Sequence, residues 1–207
     1  MIVVAAGLGY MIGSIPTAAW LASARGVDLR HDGSGNPGTA NALRTSGPWL
    51  AGSVLVVEAA KGYGAVWLGN LIADEIGAVM AGLGAVAGNV YNVWYRFNGG
   101  KGLGISLGVL AGLWPWVLVP IVVIIALGAM ITRSAGTASL LAVVGLIALS
   151  LLWPLLGWKT GGIATDSQLL IISLGIGLLI FWRHWRNSPL SGTGRYSPRE
   201  QSSPGRR

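Results

Sequence analysis

The sequence predicts an all-α integral membrane protein with about seven transmembrane helices. Of its 207 residues, 53% are hydrophobic and only 10% are charged, and the mean hydropathy is +0.63. A soluble domain carries about 25% charged residues, so this chain has too few charges to cover a surface in contact with water. Long apolar runs recur from end to end, and seven spans would take up about 140 residues. This composition excludes a disordered chain and an ordinary soluble enzyme.

Seven apolar runs divide the chain. They cover residues 2–22, 49–72, 76–95, 103–114, 116–132, 137–157 and 168–182. The first run has no basic residue before it, contains Pro16 and is followed by Arg25 and Arg30, so it is predicted to be an uncleaved span. We expect residues 1–187 to form a single polytopic domain and residues 188–207 a disordered, basic cytoplasmic tail. The chain has no cysteine, so helix packing must stabilise it.

Basic residues fall in alternate connections between these runs. Twelve of the 14 share one predicted side: Arg25, Arg30, Arg44, Arg96, Lys101, Arg133, Arg183, Arg186, Arg195, Arg199, Arg206 and Arg207. Because cytoplasmic loops carry the excess of Lys and Arg, we expect the N-terminus outside and the C-terminus in the cytoplasm. The net charge of +7 therefore reflects the orientation of the chain in the plasma membrane. We expect membrane lipids as partners and no binding of nucleic acid.

Residues 103–132 must cross the membrane twice if Lys101 and Arg133 both lie in the cytoplasm. Two full spans need about 40 residues, and this stretch is shorter. The sequence therefore predicts two short central helices that meet at Pro115. Glycines also recur at four-residue spacing, which is typical of closely packed membrane helices. These glycines are Gly9 and Gly13, Gly84 and Gly88, and Gly104, Gly108 and Gly112.

A glycine-rich loop after the first span is the first candidate phosphate site. Its candidate residues are Gly33, Ser34, Gly35, Asn36, Gly38, Asn41 and Arg44. Glycines allow successive N–H groups to point into one concavity that suits an anion. The serine and asparagines add neutral donors, and Arg44 adds a guanidinium that can bind phosphate in a bidentate way. The same composition is also typical of a flexible loop.

A second glycine-rich loop, Asn98-Gly99-Gly100-Lys101-Gly102, precedes the fourth run. It does not match the P-loop pattern, because Gly102 follows Lys101 and no strand precedes the loop. Three glycines around a lysine at a helix N-terminus still predict phosphate binding through Gly99, Gly100, Lys101 and Gly102. The alternative is a lysine that only marks the cytoplasmic side.

Two further polar groups lie on or beside the spans. His184 and Asn187, at the inner end of the last span, are three residues apart and therefore share a helix face. An interfacial anchor rich in Arg and Trp would have a similar sequence. Glu58 and Lys61 form an ionisable pair inside the second span. Such a pair either faces a partner or a binding site, or has a structural role in which the two charges neutralise each other. Asn89 and Asn92 extend this polar seam.

No His, Asp and Glu cluster with metal-ligand spacing and no nucleophile elbow occurs in the sequence. We therefore expect no metal and a site on the cytoplasmic side that binds phosphate through cations and backbone N–H groups. An apolar groove facing the bilayer would lie beside it. A substrate that combines a phosphate with an acyl chain fits this description.

These motifs resemble those of the bacterial acyl-phosphate-dependent glycerol-3-phosphate acyltransferases, the PlsY family. The resemblance runs from Gly13-Ser14-Ile15-Pro16 to Asn187. It is specific in the first loop and in Phe97-Asn98-Gly99-Gly100-Lys101-Gly102, and Lys61-Gly62 is similar to the family's Asp-x-x-Lys-Gly element. Arg183-His184 with Asn187 resembles the start of the third motif.

The resemblance implies transfer of a fatty acyl group from acyl phosphate to the sn-1 hydroxyl of glycerol 3-phosphate, without a cofactor. The products would be lysophosphatidate and inorganic phosphate. Ser34, Arg44 and Lys101 would hold the phosphates, with Lys61 among the binding residues, and His184 and Asn187 would orient the acceptor. The sequence departs from the family at Asn89 and Asn92, where the family has His and Pro, and at Leu190 and Tyr196 in the tail.

Other functions stay open on the residues alone. One is a divergent paralogue that uses another phosphorylated or hydroxylated acceptor. Another is a protein without catalytic activity that binds a phosphate or a lipid headgroup, or a small anion transporter. A transporter predicts inverted repeats or a midplane site between broken helices, and the sequence shows no such repeat.

Overall fold

The computed structural model describes residues 1–186, and every regular element in that range is helical. The helices are α1 (Ile2–Ser14), α2 (Thr17–Ser23), α3 (Thr39–Ser46), α4 (Pro48–Val90), α5 (Leu103–Leu113), α6 (Leu118–Thr132), α7 (Ala135–Leu155) and α8 (Asp166–Arg186), with 3₁₀ turns at Val93–Tyr95 and Pro115–Val117. Five segments of this range are long and apolar enough to cross a membrane. The predicted all-α membrane fold is confirmed. Asn187 and the predicted tail at 188–207 lie outside the described residues.

The first predicted span consists of two helices. Pro16 has no backbone N–H to continue the helix, and it favours an extended conformation for the residue before it. Ile15 adopts that conformation, with φ −58° and ψ 123°. The carbonyl of Ile15 is thereby released from the helix and becomes available to a side chain from another helix.

Helix α4 contains the second and third predicted spans, joined by a sharp turn. Ala73 and Asp74 have non-helical dihedrals, with φ of −152° and 51°. The two arms, 48–72 and 75–90, then pack against each other, and a Cβ at Gly69 would overlap the carbonyl of Gly77. The second arm ends at Val90. The apolar segment that contains this arm continues to Tyr95, the predicted end of the third span.

Glycines let α1 lie directly against the second arm of α4. The contacts are reciprocal: a Cβ at Gly9, Gly13, Gly84 or Gly88 would overlap the backbone of Ala81, Ala85, Ala6 or Tyr10, respectively. Close approach of backbones favours helix association in lipid, where the hydrophobic effect contributes little. The packing role predicted for the four-residue glycine spacing is confirmed here. Helix α5 packs on the first arm in the same manner, with Gly108 against the backbone of Ala59.

The two short central helices are also confirmed. Helix α5 ends at Leu113, and Trp114 leaves helical geometry with φ −152° just before Pro115. The connection before α8 bonds to the C-terminal end of α5: the N–H groups of Ile163 and Ala164 donate to the carbonyls of Gly112 and Leu113 at 3.2 and 2.9 Å. These bonds satisfy carbonyls that a helix end leaves without partners.

Two loops and the ends of two helices meet at one end of the bundle, which we call the polar end. Arg30 of the first loop lies over the ring of Tyr95, 4.3 Å from its centroid. The Arg183 guanidinium of α8 donates to the carbonyl of Gly99 at 2.7 Å. Gly136, near the start of α7, lies beside the imidazole of His184. The polar end therefore gathers the loops at 24–38 and 91–102 with the ends of α7 and α8.

Replacing Gly13 with leucine should destabilise the bundle, because the new side chain meets the backbone of Ala85. We expect a loss of about 1–3 kcal/mol, the usual cost of overpacking, measured as a lower midpoint of thermal unfolding in detergent. Gly7→Leu is the matched control on the same helix, since a Cβ there meets nothing within 4 Å. Equal midpoints for the two variants would contradict the proposed packing.

Candidate active site

The first glycine-rich loop is held together by the side chain of Asn41. Its Oδ1 accepts from the backbone N–H and the hydroxyl of Ser34, at 2.8 and 3.0 Å. Its Nδ2 donates to the carbonyls of Leu29 and Asp32, at 2.9 and 3.0 Å. Asn41 is only 1% exposed. The expectation that Asn41 offers a donor to a phosphate is therefore corrected: its amide is fully used in shaping the loop.

Two glycines of this loop have the left-handed backbone that its shape requires. Gly33 has φ +60° and Gly35 has φ +68°, and a Cβ at Gly33 would overlap Oδ1 of Asn41. The N–H groups of Gly35 and Gly38 donate to Asp32 and to Asn36, at 3.1 and 2.8 Å. Gly33 and Gly35 therefore contribute backbone shape, and the N–H groups of Gly35 and Gly38 are already bonded.

Helix α3 follows the loop directly and was not anticipated from the sequence. Gly38 precedes its first residue, and Arg44 lies in its last turn with an exposed side chain. The predicted loop is thus a loop only as far as residue 38. Because α3 is rigid, it sets the position of Arg44 relative to Ser34.

The second glycine-rich loop folds back onto the end of α4. The N–H groups of Gly99 and Gly100 donate to the carbonyls of Val90 and Asn89, at 3.0 and 2.9 Å. The prediction that these two N–H groups bind phosphate is corrected, since the end of α4 already occupies them. A Cβ at Gly99 would overlap the Asn89 carbonyl, so the close approach requires glycine. Gly102, with φ +80°, then turns the chain into α5.

Three cations from three different segments converge at the polar end. Burial, followed by the neighbouring charges of Arg183 and Arg44, lowers the pKa of Lys101 below its ordinary value. The Arg183 side chain is 8% exposed and is anchored to Gly99. We call Arg44, Lys101 and Arg183 the cationic cluster. An anion bound here would relieve their mutual repulsion.

From the sequence, Arg183 was expected on the cytoplasmic side and in a motif, but without a role in the site. Its position next to His184 was the one indication of a role in the site, but an interfacial anchor rich in Arg and Trp has a similar sequence. Its contact with Gly99 links residues 84 positions apart, which no local pattern reveals.

The imidazole of His184 presents one nitrogen to the site. Its Nδ1 lies 2.9 Å from the carbonyl of Ile180. A carbonyl only accepts, so Nδ1 carries the proton and Nε2 holds the lone pair when the ring is neutral. Nε2 is buried and has no hydrogen-bond partner among residues 1–186. Asn187, predicted to act beside it, lies outside the described residues.

Lys61 belongs to a buried network around Glu58. Its ammonium donates to both carboxylate oxygens of Glu58, at 3.1 and 3.2 Å, and to the carbonyl of Ile15 at 2.7 Å. Thr17 and Asn89 also donate to Glu58, at 2.8 and 2.7 Å. The ammonium of Lys61 is directed at these protein groups, and its binding of substrate stays a prediction. The second alternative from the sequence, mutual neutralisation of the pair, describes this geometry.

Asn89 and Asn92 have separate tasks. Asn89 connects the buried network to the second loop, since its Oδ1 lies against Gly100 while its Nδ2 bonds to Glu58. Asn92 donates to the carbonyl of Ser14 at 2.7 Å and accepts from the N–H of Trp94. The predicted polar seam therefore holds only for Asn89. Leu190 and Tyr196 lie outside the described residues.

Comparisons with known proteins agree with these motifs. A model of the family described as glycerol-3-phosphate acyltransferase matches residues 3–189. A glycerol-3-phosphate acyltransferase of Synechococcus sp. (strain JA-3-3Ab) is 40% identical over 181 residues, which are 86% of this chain and 84% of the relative. Another, from Symbiobacterium thermophilum, is 39% identical over 184 residues, with coverage of 87% and 85%.

Solved structures show the same similarity in three dimensions. The crystal structure of PlsY (YgiH), an integral membrane glycerol 3-phosphate acyltransferase, in its glycerol 3-phosphate form matches with a TM-score of 0.74 and 27% identity over 93% of each chain. The lysophosphatidic acid form of PlsY matches with the same TM-score at 26% identity. The similarity therefore covers almost the whole fold.

Removing one charge of the buried pair should be more harmful than removing both. In Lys61→Met, Glu58 keeps an uncompensated charge in a site where both side chains are less than 10% exposed, and we expect a loss of about 3–5 kcal/mol. The double variant Glu58→Gln, Lys61→Met carries no buried charge and should unfold at a higher temperature than the single variant. Thermal unfolding in detergent provides the comparison. A double variant no more stable than the single one would mean that the two charges are not coupled.

Proposed function

The chain belongs to the glycerol-3-phosphate acyltransferase family, and from this premise we propose that its acyl donor is an acyl phosphate. It is an acyltransferase of phospholipid synthesis that acts on glycerol 3-phosphate. In the proposed reaction, the sn-1 hydroxyl receives the acyl group, and lysophosphatidate and inorganic phosphate are released.

The cationic cluster is the observation that supports this donor. Glycerol 3-phosphate and an acyl phosphate each carry a phosphate group, so the two substrates bring several negative charges into one site. Arg44, Lys101 and Arg183 supply three positive charges from three segments of the chain. Charge-assisted hydrogen bonds to phosphate are stronger than neutral ones and hold the two substrates in a fixed orientation.

We assign the predicted site residues as follows. Arg44 and Lys101 hold the two phosphates, and the hydroxyl of Ser34 joins them by turning from Oδ1 of Asn41 to a phosphate oxygen. His184 and Asn187 orient the acceptor, and the lone pair on Nε2 of His184 can accept a hydrogen bond from a glycerol hydroxyl. The proton of the attacking hydroxyl passes to the phosphate that leaves, because the released phosphate needs a proton and the donor carries its own base.

We also propose seven crossings, with the N-terminus outside and the active site facing the cytoplasm. The two arms of α4 count as two crossings, and α5 and α6 as two short ones. Added to the first span, α7 and α8, they total seven. The gathering of Arg30, Arg44, Lys101 and Arg183 at the polar end supports a cytoplasmic position for that end. The expected location is the plasma membrane, which in a bacterium with two membranes is the inner one.

Phosphate release tests the function directly. Purified protein in detergent should release inorganic phosphate from palmitoyl phosphate when glycerol 3-phosphate is present, and lysophosphatidate should form in equal amount. Without the acceptor, we expect little release. Folded protein that releases no phosphate would overturn the proposed donor, and a screen of other acyl donors and acceptors would follow.

Arg44→Ala should remove the acyl transfer activity while the protein stays folded, since the Arg44 side chain is exposed. The physical reason is the loss of one of the three phosphate-binding cations, and we expect a fall in kcat/KM of at least about 100-fold, the effect of losing roughly 2.7 kcal/mol of transition-state binding. Arg25→Ala is the matched control, an exposed arginine in the preceding loop. Unchanged turnover in Arg44→Ala would exclude Arg44 from the site.

A further inference from the structure

A small polar cleft lies at the polar end, where the two glycine-rich loops meet. Pro37 of the first loop and Gly100 of the second loop line it, together with Glu58, Asn89 and Tyr95. The volume of the cleft is about 10 Å³. A space of this size suits a single water molecule when polar groups surround it. The cleft is therefore a candidate site for one bound water and is distinct from the cationic cluster.

The hydroxyl of Tyr95 is a buried polar group of this cleft that needs a partner. Its oxygen is buried and has no hydrogen-bond partner among residues 1–186. The ring of the same side chain is already engaged, since the Arg30 guanidinium lies over it. A buried hydroxyl without a hydrogen bond costs free energy, so we expect a partner that fits the cleft.

The carboxylate of Glu58 does not supply this partner. A carboxylate offers about four acceptor positions, and the oxygens of Glu58 already accept one bond from Thr17, one from Asn89 and two from Lys61. The ammonium of Lys61 also balances the charge of Glu58 at 3.1 Å. The cleft therefore favours a neutral water molecule over a cation.

Two other oxygen atoms face the space beside Gly100. A Cβ at Gly100 would lie 2.8 Å from Oδ1 of Asn89 and 3.7 Å from the carbonyl oxygen of Pro37. The bond from Nδ2 of Asn89 to Glu58 fixes the orientation of the amide, so the atom that faces Gly100 is an acceptor. A water molecule can donate to both oxygens and accept from the Tyr95 hydroxyl, which gives it three hydrogen bonds.

We propose that one water molecule binds in this cleft and that Tyr95 is a positioning residue that ties the first glycine-rich loop to the second. The Tyr95 hydroxyl donates to the water, and the water donates to the Pro37 carbonyl and to Oδ1 of Asn89. The ring of Tyr95 makes a second link to the first loop through Arg30, 4.3 Å from the ring centroid.

This tie sets the separation of two cations that hold the phosphates. Pro37 lies two residues before α3, which carries Arg44, and Gly100 directly precedes Lys101. Without the tie, the two like charges move apart, and the substrates must draw the loops together when they bind. Such a cost weakens substrate binding and leaves the chemical step unchanged.

A crystal structure that resolves ordered water tests the bound molecule without any assumption about the reaction. In the wild-type protein, we expect a water molecule within about 3.2 Å of the Tyr95 hydroxyl, Oδ1 of Asn89 and the Pro37 carbonyl oxygen. A cleft without this water, or a direct hydrogen bond between the Tyr95 hydroxyl and a protein atom, would overturn the water-mediated link.

Substitution of Tyr95 tests the positioning role, and this test rests on the proposed function. Tyr95→Phe removes only the hydroxyl, and we expect the KM for glycerol 3-phosphate to rise about 3–10-fold, the effect of losing one hydrogen bond, with kcat unchanged. Tyr95→Leu also removes the ring beneath Arg30 and should raise KM further. Neither variant changes the charge of the site, so the electrostatic attraction for phosphate stays the same.

Tyr63→Phe is the matched control, because Tyr63 is an exposed tyrosine on the first arm of α4, and it should keep the wild-type KM. Midpoints of thermal unfolding establish that each variant is folded. An unchanged KM in both Tyr95 variants, or a fall in kcat without a change in KM, would overturn the positioning role.

The wild-type protein separates failure of this inference from failure of the proposed function. If it transfers an acyl group from palmitoyl phosphate while the Tyr95 variants keep its KM, only the positioning role is wrong. If it transfers none, the proposed donor is wrong. The affinity for glycerol 3-phosphate, measured by titration calorimetry, then replaces KM in the same comparison of variants, and the crystal structure still decides on the bound water.

Discussion

The carboxylate of Glu58 is the interaction on which the polar end depends. It accepts hydrogen bonds from Thr17 of α2, Lys61 of the first arm of α4 and Asn89 of the second arm. A charge inside a membrane protein is costly unless it is paired and hydrogen-bonded, so these partners are held firmly. The ammonium of Lys61 also bonds to the carbonyl that the proline break releases at Ile15. One buried charge thereby fixes the first span against both arms of the hairpin.

This network reaches the functional loop through Asn89. The side chain of Asn89 bonds to Glu58, and its backbone carbonyl accepts from the N–H of Gly100, the residue before Lys101. Arg183 holds the same loop from the opposite side through the carbonyl of Gly99. Lys101 is thus positioned by its neighbours in the chain and by α8. Such rigidity matters because three like charges would otherwise move apart, and the site would have to reassemble around each substrate.

The glycines have two different functions in this fold. On α1, α4 and α5 they remove side chains so that helix backbones approach, as between Gly13 and Ala85. In the two loops they allow left-handed dihedrals or close contacts, as at Gly33 and Gly99. In both loops, N–H groups that an anion might use are already bonded within the protein. The attraction for phosphate therefore comes chiefly from the side chains of the cationic cluster and from the loop geometry that presents them.

The all-helical membrane class, the short central helices and the glycine contacts were predicted from the residues, and the seven crossings stay a prediction. Their causes are local: transfer of apolar side chains, the geometry of proline and the four-residue spacing of a helix face. The loop motifs also identified where the site lies. The sequence did not predict which hydrogen-bond donors of the site are already bonded within the protein, because this depends on contacts formed in the folded chain. Such contacts occupy the donors of Lys61, Asn41 and Gly100. A contact of the same kind, with Gly99, holds Arg183 in the cationic cluster. Ser106 lines a cavity that forms only when four helices pack together.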